Sequence, residues 1–153
     1  MNYYRSIVVM VAMAVTCGSV SALTKEEMDG IRDAILPVLV ECSKQHDVSM
    51  DSIKEAKAAH SVDGVDPCFL ACIFKKTEFM NGSGKFDVET AKKHSRKYIH
   101  GEEDLKKSDE TADECASVNE AEVSDGDKGC ERAKLLAECL VEHRHNDDVQ
   151  FLP

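Results

Sequence analysis

The sequence predicts an all-α domain with about six helices and three disulfides. Helix-capping patterns and helical spacing of apolar residues recur along the chain, whereas the alternation that is typical of strands is absent. The length of 153 residues corresponds to about one domain. The chain contains seven cysteines, one of which lies in an N-terminal segment with the character of a leader.

Residues 1–22 are predicted to be a cleaved secretory signal peptide. One charge, Arg5, precedes an apolar run that is too short to span a bilayer, and the segment ends in the small residues Val20-Ser21-Ala22. A lipid-modified Cys17 is the alternative, which the preceding Val15-Thr16 disfavours. Cleavage leaves residues 23–153 as the domain, removes one basic residue and no acidic one, and changes the formal charge from −10 to −11. The remaining six cysteines, in an oxidising compartment, predict three disulfides.

Two helices are predicted before residue 60. Thr24 and Glu27 match a capping box at the start of the first helix. Pro37 removes a backbone donor, so we expect this helix to be kinked or split near Ile35. The second helix is short and covers residues 51–59. The apolar residues of the first helix have helical spacing at Met28, Ile31, Ile35 and Leu39.

The third helix is predicted to be central. Asp66 is suited to the N-cap and Pro67 to the first helical position, and the helix extends to about Met80. Residues 67–74 are apolar on every face, which is also compatible with a buried strand, but the cap, the length and the Ala and Leu content favour a helix. A helix that is apolar all round is surrounded by protein.

Three further helices complete the domain. They begin at Asp87, near residue 103 and near residue 127, and the last two end near residues 118 and 143. Each carries one apolar stripe that is expected to face inward. Residues 144–153 form a polar tail that ends in Phe151-Leu152-Pro153.

The cysteine spacing is C-x25-C-x3-C-x42-C-x14-C-x8-C. Cys68 and Cys72 project in parallel from one helix face, and Cys130 and Cys139 lie on opposite faces of another helix, so neither pair is suited to a disulfide. Of the fifteen possible pairings, ten remain. In each of them the third helix is bonded to two partners, which makes it the hub of the disulfide network.

This framework, with C-x3-C inside an apolar helix and C-x8-C inside a later one, resembles the insect odorant-binding proteins, in their six-cysteine pheromone-binding and general odorant-binding group. The resemblance covers the whole chain, from the signal peptide through the helix order to the short tail. It implies helices around a hydrophobic cavity and the disulfides Cys42–Cys72, Cys68–Cys130 and Cys115–Cys139.

The resemblance also implies a function. It predicts a secreted, extracellular carrier that reversibly binds and transports small hydrophobic ligands such as odorants or pheromones, with no enzymatic activity and no cofactor. Its partners would be a small apolar ligand and, as a candidate, a membrane chemoreceptor. The alternative is a secreted, disulfide-stapled interaction protein or membrane-active protein of saposin type, without a small-ligand pocket.

Candidate cavity residues are apolar positions on the first, third, fourth and sixth helices and one position in the tail. Tyr98 is the candidate polar contact, because a buried hydroxyl needs a partner. Phe151 is a candidate because tails of this length fold back over the cavity in some relatives. The full set is Met28, Ile31, Ile35, Phe69, Ile73, Phe74, Met80, Tyr98, Leu136, Leu140 and Phe151.

Two other signals remain. Asn81-Gly82-Ser83 matches the glycosylation sequon in a predicted surface loop. His143 and His145 precede Asp147 and Asp148, so protonation near pH 5–6 is a candidate switch that loosens the tail and releases ligand. The alternative is that the six histidines are simply scattered through an acidic protein and have no such role.

Neither a metal site nor a catalytic site is predicted. Disulfides are expected to use the cysteines that could otherwise bind zinc. His46-Asp47 is similar to the catalytic region of secreted phospholipases A2, but a Gly-rich calcium loop and an adjacent second cysteine are missing. The excess of 29 acidic over 19 basic residues argues against a nucleic-acid partner.

Overall fold

The computed structural model describes residues 23–145, with side chains as far as residue 143. This part of the chain forms six α-helices and two short 3-10 helices, and its only β pairing is one bridge between Met80 and Phe86. The prediction of an all-α fold with six helices is therefore confirmed. No helix within these residues is long and apolar enough to cross a membrane. The helices are α1 Lys25–His46, α2 Met50–Ala58, α3 Pro67–Lys76, α4 Val88–Tyr98, α5 Glu102–Cys115 and α6 Cys130–His145, with the 3-10 helices at Ala116–Glu120 and Gly126–Lys128.

Helix α1 begins at the predicted capping box. The Thr24 hydroxyl accepts a hydrogen bond from the Glu27 N–H at 3.2 Å, and the Glu27 carboxylate accepts one from the Thr24 N–H at 2.7 Å. The same carboxylate accepts from the N–H of His100 at 2.7 Å, just before α5 begins. These bonds, the one from Thr24 first, hold the pKa of Glu27 below its ordinary value.

Pro37 does not divide α1, which is one helix from Lys25 to His46. The expectation of a split was wrong. Pro37 lies on the exposed side of the helix, so its ring does not enter the core. The helix continues because Leu39 and Cys42 beyond it are buried, and this packing outweighs the loss of one backbone donor.

Helix α3 is central, with Phe69, Leu70 and Ala71 buried, and it packs against α1 and α6. It ends at Lys76 instead of the predicted Met80. The Thr77 hydroxyl donates to the carbonyl of Ile73, and Glu78 has a φ of 60°, in the left-handed region that a right-handed helix cannot include.

Two other predicted boundaries were wrong by about three residues because of local backbone chemistry. Helix α5 ends at Cys115, where the chain continues as a 3-10 helix. Helix α6 begins at Cys130, because Gly129 adopts a φ of 69° and the Asp125 carboxylate accepts from the N–H groups of Cys130 and Glu131. The capping residue, Asp125, therefore lies five positions before Cys130, the first helical residue. A sequence pattern that looks for a cap directly before the helix does not detect it.

Three disulfides join the helices. Cys42–Cys72 links α1 to α3, Cys68–Cys130 links α3 to α6, and Cys115–Cys139 links α5 to α6. These are the pairs that the family resemblance implies. Helix α3 is bonded at both Cys68 and Cys72, as expected of the hub.

Helices α4 and α5 pack together as an antiparallel pair that two ion pairs join. Lys92 donates to Asp113 at 2.6 Å, and Arg96 donates to Asp109 at 2.5 Å. The bond to Asp113 raises the pKa of Lys92. The two helices are covalently attached to α6 by the disulfide between Cys115 of α5 and Cys139 of α6.

Candidate ligand-binding cavity

A cavity of about 430 Å³ lies between the helices, and most of its lining is apolar. Ile35 and Val38 contribute from α1, Ile73 and Phe74 from α3, and Leu140 from α6. Its volume is within the range of about 300–1,000 Å³ that is usual for small-molecule sites.

Several predicted residues line this cavity together, namely Ile31, Ile35, Ile73, Phe74, Tyr98 and Leu140. Others lie elsewhere. Met28 is on the surface with 38 % of its area exposed. Phe69, Met80 and Leu136 are buried in the core, at 2 %, 2 % and 0 % exposure, and do not line the main cavity. Phe151 lies outside the described residues.

The three buried departures, Phe69, Met80 and Leu136, have one physical cause. An apolar stripe marks the side of a helix that leaves water, but it does not distinguish close-packed core from cavity wall. Phe69 instead lines a smaller cavity of about 70 Å³ beside α2. Five residues are common to both linings, which makes the two spaces neighbours: Leu39, Val62, Leu70, Ile73 and Val141.

Helix α5 supplies a wall that was not expected. Asp104, Lys107, Ser108 and Thr111 follow one another at helical spacing and all line the cavity. Because these residues are polar, the sequence pattern predicts that they face solvent, as a polar stripe on a helix normally does. The position of Ser108 is fixed by a hydrogen bond that its hydroxyl donates to Ser95 on α4 at 2.8 Å.

Tyr98 lies one turn beyond Ser95 on α4. Its ring packs against Gly30 of α1, where a Cβ would lie 3.6 Å from the ring edge. A Cβ at this distance would be in ordinary van der Waals contact, so the ring packs directly on α1 at this position. Tyr98 was predicted as the polar contact, and its hydroxyl has no hydrogen-bond partner in the described part of the chain.

Two histidines also line the cavity. His94 lies 3.3 Å from the Glu78 carboxylate, with its ring edge-on to Phe79. His143 lies 3.2 Å from the Glu114 carboxylate on α5. The predicted partners of His143 in the tail, Asp147 and Asp148, lie outside the described residues, and His145 is the last residue of α6.

Cys115, Cys139 and His143 bring their sulfur and nitrogen atoms within 4.8 Å of one another. This is the spacing of a metal site, but both sulfurs belong to one disulfide. A thiolate is required to bind a metal, so the cluster offers a single nitrogen ligand. We assign no metal role to it.

Asn81, the sequon residue, lies on an exposed turn away from the cavity. Its side-chain carbonyl oxygen accepts hydrogen bonds from the N–H groups of Ser83 and Lys85, at 3.0 and 3.1 Å. The side-chain amide nitrogen, where a glycan would be attached, has no partner within residues 23–145.

Comparison with known proteins places this arrangement in a family. The family model for PBP/GOBP matches residues 16–143. Among solved structures, odorant-binding protein dmelOBP28a from Drosophila melanogaster superimposes with a TM-score of 0.59 at 18 % sequence identity, covering 79 % of this chain and 98 % of that one. At this identity the match shows the shared fold. A search of curated proteins finds no significant sequence match. The chain therefore belongs to the PBP/GOBP family, the insect odorant-binding proteins.

Proposed function

We propose that this protein is a secreted carrier that reversibly binds and transports small hydrophobic ligands in extracellular fluid, without catalysis. The observation that carries the proposal is the apolar cavity of about 430 Å³ inside a fold of this family. Burial of apolar ligand surface yields about 25 cal/mol per Å², so such a cavity can bind without covalent chemistry. The acidic exterior, with a formal charge of −10 for the whole chain, favours solubility at high concentration.

Binding can be tested with a matched pair of variants in α1. Val38 lines the cavity, whereas Val40, two residues later, is exposed at 37 %. Val38→Phe places a ring in the cavity and should lower the affinity for the reporter N-phenyl-1-naphthylamine by about tenfold. Val40→Phe should leave the affinity unchanged. Equal affinities for the two variants would show that the reporter binds somewhere else.

The same preparation distinguishes the carrier from a membrane-active protein. A carrier binds one reporter molecule per chain and leaves lipid vesicles intact. Vesicle leakage without saturable reporter binding would support the saposin-like alternative.

Secretion is the second part of the proposal. Leu23, the residue after the proposed cleavage site, is buried against Ile31 and Ile99. A mature chain that begins at Leu23 therefore keeps its first residue docked in the fold. We expect the protein secreted from insect cells to begin at Leu23, which N-terminal sequencing measures directly. Retention of residues 1–22 in the secreted protein would contradict this.

Passage through the secretory pathway would also expose Asn81 to glycosylation. Its exposed turn and unbonded amide nitrogen support modification there. An intact-mass measurement of the secreted protein before and after glycosidase treatment tests this, with Asn81→Gln as the control.

A further inference from the structure

The geometry points to a hydroxyl-binding subsite on the wall that α4 and α5 present to the cavity, so that the preferred ligand is an apolar molecule bearing a hydroxyl group. This inference rests on the proposed carrier function and specifies its ligand class. It concerns only one side of the cavity, because the opposing surfaces of α1 and α3 are mainly apolar.

The wall is organised around the hydrogen bond between Ser108 and Ser95. The Ser108 hydroxyl donates to the Ser95 oxygen at 2.8 Å, and the Ser95 hydroxyl donates to the carbonyl of Ala91 at 3.2 Å. The hydroxyl protons of both serines are therefore used within the protein, and these bonds fix the orientation of the two side chains. The Ser108 oxygen keeps its capacity to accept a bond from a ligand.

Two hydroxyls flank this pair and are not used by the protein. Thr111 lies one turn from Ser108 along α5, and Tyr98 lies one turn from Ser95 along α4. Both side chains line the cavity, and neither hydroxyl is hydrogen-bonded within the part of the chain that the structure describes. A threonine in a helix can bond back to the preceding turn, as Ser95 does here, but Thr111 does not.

Asp104 adds a third unsatisfied group at the Tyr98 end of the wall. It lines the cavity one turn before Ser108, and its Oδ1 atom is buried without a hydrogen-bond partner among the described residues. This oxygen has almost no accessible area towards the cavity, so the Asp104 carboxylate adds negative charge beside the wall and is not itself a contact for a ligand. The wall that a ligand meets thus consists of hydroxyls, which both donate and accept.

A hydroxyl group matches this combination. A pure hydrocarbon would displace water from the wall and leave Thr111 and Tyr98 facing apolar surface, which costs free energy. A hydroxylated ligand restores a hydrogen bond at the same position. Sites built in this way discriminate against analogues that lack the polar group.

The test compares p-cymene with thymol, which differ by one hydroxyl, as competitors of N-phenyl-1-naphthylamine. In the parent protein thymol should bind at least as tightly as p-cymene. Thr111→Val and Tyr98→Phe remove a hydroxyl each with little change in shape. The double variant should lower the affinity for thymol by about 3- to 10-fold, the value of one hydrogen bond, and leave the affinity for p-cymene unchanged or higher, because no hydroxyl then faces the hydrocarbon.

Thr77→Val is the matched control. Thr77 also lines the cavity, but its hydroxyl is already bonded to the carbonyl of Ile73 at 2.9 Å. Its replacement should leave the ratio of the two affinities as in the parent. The subsite is ruled out if thymol binds more weakly than p-cymene in the parent, or if the double variant keeps the parental ratio. If neither compound displaces the reporter from the parent, the subsite is ruled out, whereas the carrier function is contradicted only if the reporter itself shows no saturable binding.

Discussion

Glu27 is buried where the beginning of α1 meets the connection between α4 and α5. Its carboxylate accepts hydrogen bonds from the Thr24 hydroxyl and from the N–H groups of Thr24 and His100. The first two complete a local cap that the sequence pattern predicts. The third joins residues 73 positions apart, and a local pattern contains no signal for it. One side chain therefore serves both as a helix cap and as a tertiary contact.

Glu27→Gln should lower the free energy of unfolding by about 1–3 kcal/mol at pH 7, because a neutral amide accepts the two backbone N–H bonds more weakly than a carboxylate. Glu26→Gln, in the same turn but exposed, should change it by less than about 0.5 kcal/mol. Urea denaturation measures both.

The effect of this variant should depend on pH in a defined direction. The folded-state pKa of Glu27 lies below its ordinary value of 4.5, so the ionised carboxylate stabilises the fold at pH values above 4.5. That contribution is lost as the pH falls below 4.5 and through the folded-state pKa. The difference between parent and Glu27→Gln should therefore shrink in acid. A difference that stays constant down to pH 3 would contradict the assignment.

At the scale of helices, α5 shows where sequence reasoning failed. Leu105, Ala112 and Cys115 form the stripe that was expected to face inward, and Ala112 and Cys115 are buried. The adjacent polar stripe, which includes Asp104, Ser108 and Thr111, is half-buried and lines the cavity. Hydropathy periodicity assumes that everything inside is apolar, so it cannot recognise an interior surface that is built to contact a ligand's polar group.

The unbroken course of α1 through Pro37 leads to a second test. Pro37 is exposed and lies inside a continuous helix, so Pro37→Ala restores a backbone donor without disturbing the core. The variant should be more stable by up to about 3 kcal/mol. Lys44→Ala, another exposed position of α1, should have an effect below about 0.5 kcal/mol. Destabilisation by Pro37→Ala would mean that the fold requires a bend at this residue.

For the molecule as a whole, the disulfides and the cavity are energetically linked. A sealed, empty cavity of 430 Å³ would cost about 10 kcal/mol at about 24 cal/mol per Å³, which is the upper bound for this partly open one. Three disulfides contribute about 3 kcal/mol each, which nearly offsets that cost. The cysteine spacings x3 and x8 made the fold predictable, because they place the bonded residues on particular helices. The size of the cavity was not predictable, because it depends on how six helices pack together.

The three disulfides should differ in their contributions. Cys68–Cys130 closes a separation of 62 residues, whereas Cys115–Cys139 closes one of 24. In the chain-entropy model the longer loop is worth about 1 kcal/mol more. Denaturation of the paired serine variants Cys68→Ser/Cys130→Ser and Cys115→Ser/Cys139→Ser should show this order. The reverse order would indicate that strain or residual unfolded structure controls the contribution.

The cavity also makes the protein sensitive to hydrostatic pressure. Unfolding lets water enter the internal space. The total volume of protein and solvent is therefore smaller when the chain is unfolded than when it is native. Pressure therefore acts against the empty carrier, and a ligand that occupies the 430 Å³ removes much of the volume difference. The carrier with a bound ligand should therefore resist unfolding by pressure better than the carrier without one.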